Sequence, residues 1–139
     1  MMKTRLIIVA FMSLTLALPA FGKTYKTTYP DPCPQMWSAV KDTLGNADNY
    51  TVEKTDDALM TASYQVKHSA HVNISGALLQ RTNKVTLVTE GAGCQMQVVS
   101  NYSGWEHNDQ GDFKQRVEDA LAKIKAASAS QPAKPADAK

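Results

Sequence analysis

The residues with usable chemistry are few, and their spacing limits what they can do. The chain has two cysteines, Cys33 and Cys94. They form no CxxC pair, and two thiols are too few for a four-cysteine zinc site. In an oxidising compartment they would close into one bond across a long loop; the other reading is two separate buried thiols. The three histidines are His68, His71 and His107. His68 and His71 stand three apart in a segment that reads as extended, where such positions face opposite sides. A zinc centre would need further donors, and Glu106 beside His107 could supply them from another loop. A metal-dependent enzyme built on His68, His71 and His107 is therefore one alternative, and solvated histidines at strand ends are the plainer reading.

The stretch from Asn101 to Asp109 is the most unusual in the chain, with Tyr102, Gly104, Trp105, Glu106 and His107 in succession. Tyr102 and Trp105 could form an aromatic lip over a cleft, with Glu106 and His107 as polar contacts. The same residues could instead pack on the edge of a core while Asn108 or Asp109 caps a helix. Tyr102, Trp105, Glu106 and His107 are the candidate ligand- or partner-binding residues. Asp56 and Asp57, with Glu53 nearby, lack the patterned oxygen donors of a calcium loop and read as a solvated turn. Arg81, between Gln80 and Thr82, reads as soluble surface. No phosphate loop, GxSxG elbow or HExxH is present. No catalytic group, metal or cofactor is expected.

The setting of these residues follows from the ends of the chain. Among 139 residues there are 15 Lys and Arg against 13 Asp and Glu. Such a balance carries no basic stripe for nucleic acid. Lys3 and Arg5 precede an apolar run, residues 6–18, and small residues follow at Ala20 and Gly22. This is the pattern of a cleavable signal peptide over residues 1–22, cut after Gly22. The run is shorter than the roughly 20 apolar residues that a spanning helix needs. Removing it takes Lys3 and Arg5 away and leaves the rest balanced in formal charge. A periplasmic or secreted protein is expected, with no membrane span after cleavage. Residues 127–139 contain Ala, Ser, Pro and Lys with no large apolar side chain and read as a disordered tail. Residues 23–126 are left as a single domain.

The elements that must position the candidates come from periodicity. Residues 23–29 alternate weakly, as an edge strand does. Pro34 suits a first helical turn, and Met36, Val40 and Leu44 recur on one helical face with Trp37 beside them. A helix is predicted over 34–44, with Gly45 as its left-handed cap. Strands are predicted over 50–54, with Tyr50, Val52 and Lys54 on one face; over 59–66, with Met60, Ala62, Tyr64 and Val66 inward; around Val72, Ile74 and Leu78; over 84–90; and over 94–102. Polar residues 80–83 and the Gly91-Ala92-Gly93 run read as turns. Phe113, Val117, Leu121 and Ile124 mark a closing helix. Lys123 and Lys125 suit its C-terminal end.

Short connections imply antiparallel pairing. The expected fold is α+β: a two-layer sandwich, mostly antiparallel sheet of about five strands, two helices on one face, in β-α-β-β-β-β-β-α order. Thr61, Ser63 and Gln65 alternate with the apolar positions of their strand and should line a wet outer face. The element order resembles that of helix-grip and related small exported domains. That resemblance implies binding of partners or lipids, or an accessory role in envelope machinery. The expected function is an exported, non-enzymatic binding or accessory module of a bacterial cell envelope. The alternatives are a small-ligand or lipid carrier with a pocket between helices and sheet, and the metal-dependent enzyme above. The expected partner is an envelope protein or a small apolar ligand.

Overall fold

A computed structural model describes residues 24–67, 71–72, 78–79, 81–101 and 108–131. The elements are β1 (Thr24–Tyr29), α1 (Cys33–Leu44), β2 (Tyr50–Asp56), β3 (Thr61–Val66), β4 (His71–Val72), β5 (Leu78–Leu79), β6 (Thr82–Glu90), β7 (Gly93–Ser100) and α2 (Asp109–Ala129). Five strands form one antiparallel sheet in the order β1-β7-β6-β3-β2, and among the described residues β4 pairs with β5 alone. The fold is an α+β sandwich, as the periodicity implies. β1 is an edge strand, also as expected.

Alternation decides which sheet face is covered. Ala62 and Tyr64 on β3, Val85 and Leu87 on β6, and Cys94, Met96 and Val98 on β7 are buried. They meet Met36, Val40 and Leu44 of α1 and Phe113, Val117 and Leu121 of α2 in one core. Burying such a side chain contributes roughly 1.5–3 kcal/mol, so this face holds the sandwich together. α1 packs on β6 and β7 and against α2. The opposite face carries Thr61, Ser63 and Gln65, half-buried beside Thr86, Thr82 and Lys84 across the ladder.

The predicted bond between Cys33 and Cys94 is present, with the two Cα atoms 4.9 Å apart and a sequence separation of 61. It ties the start of α1 to the start of β7. Gly91 has φ 59°, as a two-residue hairpin turn demands at its first position. A Cβ on Gly93 would collide with the carbonyl of Tyr29, so β1 can close on β7 only over a glycine.

Several expectations need correction. Gly45 is right-handed, with φ −66° and ψ −13°. Its N–H bonds Lys41 and the Asn46 N–H bonds Thr43, so the helix ends in a tightened turn that requires no left-handed residue. Tyr50, Val52 and Lys54 do not share a face. A bulge between Val52 and Lys54 pairs Val52 with the inward Tyr64 and Lys54 with the outward Ser63. The expected third strand is split into β4 and β5, outside the main sheet. Residues 82 and 83 belong to β6 rather than to a turn. α2 continues through Ala129, past the expected boundary at 126, so Lys123 and Lys125 are not in its last turn.

Candidate functional site

Two strands of the inner face, β6 and β7, are apolar at one end and polar at the other. On β7 the buried series Cys94, Met96, Val98 ends in Ser100; on β6 the series Leu87, Val85 runs back to Asn83 and then Arg81. Register aligns the polar positions. Tyr64 lies opposite Asn83, and Asn83 opposite Ser100. Directly paired positions across an antiparallel ladder share a face at close range. The outcome is a row, Tyr64–Asn83–Ser100, across three strands, each residue at most 2% exposed.

Arg81 extends the row. Its Nε lies 3.2 Å from Oδ2 of Asp109, and both side chains are buried, at 4% and 9% exposure. Asp109 is the first residue of α2, where the helix dipole favours a carboxylate. Asn108 caps the same helix, its side chain accepting from the Gly111 N–H at 3.1 Å, as the sequence suggests. Arg81 is therefore not soluble surface. It joins the start of β6 to the start of α2 through an ion pair removed from water.

Aromatic rings frame the row. Tyr64 stacks on Phe113 with centroids 4.8 Å apart, and Tyr50 meets both rings edge-on, at 5.4 and 5.7 Å. Burial pushes the Tyr64 phenol well above its ordinary pKa and raises that of Tyr50 to about 12. Both stay neutral across the physiological range. The Tyr64 hydroxyl and both ends of the Asn83 amide have no hydrogen-bond partner among the described residues. An unmade bond at a buried polar group costs roughly 1–3 kcal/mol, so these two residues are expensive where they stand.

The other candidates fall elsewhere. Tyr102, Trp105, Glu106, His107 and His68 lie outside the described residues, and His71 begins β4. Among the described residues no group of three or more His, Cys, Asp or Glu side chains could hold a metal. Asp56 and Asp57 are not merely a solvated turn. Asp56 accepts from the Leu59 N–H, and Asp57 accepts from Trp37 Nε1 at 2.6 Å and Lys41 Nζ at 2.9 Å. These bonds to Lys41 and then Trp37 lower the Asp57 pKa, and they fasten the β2–β3 turn to α1. Glu53 is separate, accepting from Gln65 at 2.6 Å.

The Tyr64–Asn83–Arg81 cluster escapes a reading based on composition, because Gln80 to Asn83 is a polar run. The signal is the alternation of β6 carried backwards: Leu87, Val85, Asn83 and Arg81 are all of one parity.

No family model matches the chain, and no curated protein matches it. Solved structures match at low identity. Ara h 8.0201 is 14% identical, with 78% of this chain and 97% of that chain covered and a TM-score of 0.49. CalU16 from Micromonospora echinospora is 13% identical, with 73% of each chain covered and a TM-score of 0.48. The Zhui aromatase/cyclase from Streptomyces sp. R1128 is 11% identical, with 76% and 87% covered and a TM-score of 0.38. At these values the likenesses identify neither a family nor a ligand.

Proposed function

We propose that this chain is an exported, non-enzymatic module that binds a small ligand at the polar end of its inner sheet face. The observation that carries the reading is the pair of costly groups there, the Tyr64 hydroxyl and the Asn83 amide, buried at the edge of the apolar core with no hydrogen-bond partner among the described residues. Natural sequences keep such local conflicts mainly where function requires them. The Asn83 amide offers a donor and an acceptor side by side, and Tyr64 adds a hydroxyl. A matching ligand has an apolar body for Phe113 and Val98 and a head group that both donates and accepts.

Binding fits this chemistry better than catalysis does. General acid–base work needs a group that titrates near the working pH. Burial moves Tyr64 further from that range. Export is supported by the signal-like residues 1–22 and by the disulfide, a bond that persists in oxidising compartments. No helix among the described residues is long and apolar enough to cross a membrane.

Native mass spectrometry of the full chain expressed with its N-terminus intact tests the reading. The expected species lacks residues 1–22, is two hydrogens lighter than its dithiol form, and carries a small-molecule adduct that Asn83→Leu abolishes. A bare mass for the unsubstituted protein, or an adduct indifferent to Asn83→Leu, overturns the proposed site.

A further inference from the structure

A second cleft, of about 200 Å³, opens between the C-terminal end of α1 and the middle of α2. Its charged lining is Asp42 from α1 and Arg116, Asp119 and Lys123 from α2, with Asn46 and Asn49 from the following loop. None of these belongs to the buried row. Two acids and two bases thus face one space, and no aromatic ring lines it.

These charges do not satisfy one another. Asp119 and Lys123 are spaced i,i+4 in the favourable order for a helical ion pair, yet they form none among the described residues. On the same helix Lys114 and Glu118, in the less favourable order, pair at 2.6 Å. Lys125 also finds a partner, Asp31 at 2.7 Å. Asp42 is placed against its own helix. It lies in the last turn of α1, where the dipole disfavours a carboxylate, and no ion pair compensates it. The cleft therefore presents, among the described residues, two exposed carboxylates without ion pairs, Asp42 and Asp119, to a cation and two exposed bases, Arg116 and Lys123, to an anion.

We infer that this cleft binds a small zwitterion, a short amino acid whose ammonium faces Asp42 and Asp119 and whose carboxylate faces Arg116 and Lys123. Neighbouring positions on a helix face lie about 5–6 Å apart, so the ligand's charges must be only a few bonds apart. The carbonyl-rich end of α1 adds to the attraction for the ammonium.

The probe is β-alanine, with acetate and methylammonium as its separate halves, followed by amide chemical shifts of the full chain at low salt. β-Alanine is expected to shift residues 42–49 and 116–123 and to bind at least about tenfold more tightly than either half, an additive gain from two charge contacts. Arg116→Gln and Asp119→Asn should each weaken it about tenfold. Both positions are exposed, so the unfolding midpoint should stay in place. The inference is overturned if β-alanine produces no shifts, if acetate matches it, or if its shifts survive both substitutions.

Discussion

The two ends of the inner sheet face are built on the same strands and obey opposite rules. At the β6–β7 turn end, the Tyr29 hydroxyl and the Trp37 indole are both answered. The Tyr29 hydroxyl donates to Glu118 at 3.1 Å, the Trp37 indole donates to Asp57, and Cys33 is bonded to Cys94. At the other end Tyr64 and Asn83 stand unanswered beside a buried ion pair. Both ends bury a tyrosine whose pKa is raised, chiefly by desolvation, so burial alone does not distinguish them. The difference is whether the hydroxyl has a partner. The first end is arranged for stability; on the proposed function, the second gives up stability for recognition.

Breaking the stable end should have the largest effect. Replacing Cys33 and Cys94 together by serine releases a loop of 61 residues and should lower the unfolding free energy by about 4 kcal/mol on the chain-entropy account. Urea unfolding under non-reducing conditions measures this; a loss below about 1 kcal/mol would mean that the disulfide is not what secures that end.

At the polar end, Arg81→Met removes the guanidinium that lies 3.2 Å from the Asp109 carboxylate, and a loss of about 3 kcal/mol is expected. Adding Asp109→Leu should restore most of it, because the second charge is then gone as well. If the double variant were as unstable as the single one, the pair would matter through shape rather than charge.

The smallest effect is a pH dependence at the turn that fastens β2 and β3 to α1. The folded Asp57 carboxyl titrates below its unfolded value, held down by Lys41 and Trp37. Its contribution is therefore complete above about pH 4 and is lost as the pH falls through the folded value. In thermal melts, Asp57→Asn should flatten this acid limb and leave the neutral-pH dependence unaltered; an unchanged acid limb would remove Asp57 from the account.

Much of this comparison is legible in the sequence. The helical faces around Met36 and Phe113 are visible because their spacing follows the helix period, and Cys33 and Cys94 are visible because two thiols in a chain that reads as exported have few other fates. The bulge in β2 is not visible, since Glu53 opens an unbroken polar run to Asp57 in which no alternation marks the register. Arg81 and Asn83 are obscured by a conflict between two signals. Their composition says turn, while their parity with Val85 and Leu87 says buried face; tertiary context decided for parity. The aromatic stretch 102–107, the strongest candidate by composition, lies outside the described residues.

The central claim is that Tyr64 and Asn83 are kept for recognition at the expense of stability. The most direct test is equilibrium unfolding of ligand-free protein carrying Tyr64→Phe and Asn83→Leu together. Removing unanswered buried polar groups should raise the unfolding free energy by about 1 kcal/mol or more. A variant less stable than the parent would contradict the account, because it would show that these groups hold the fold together.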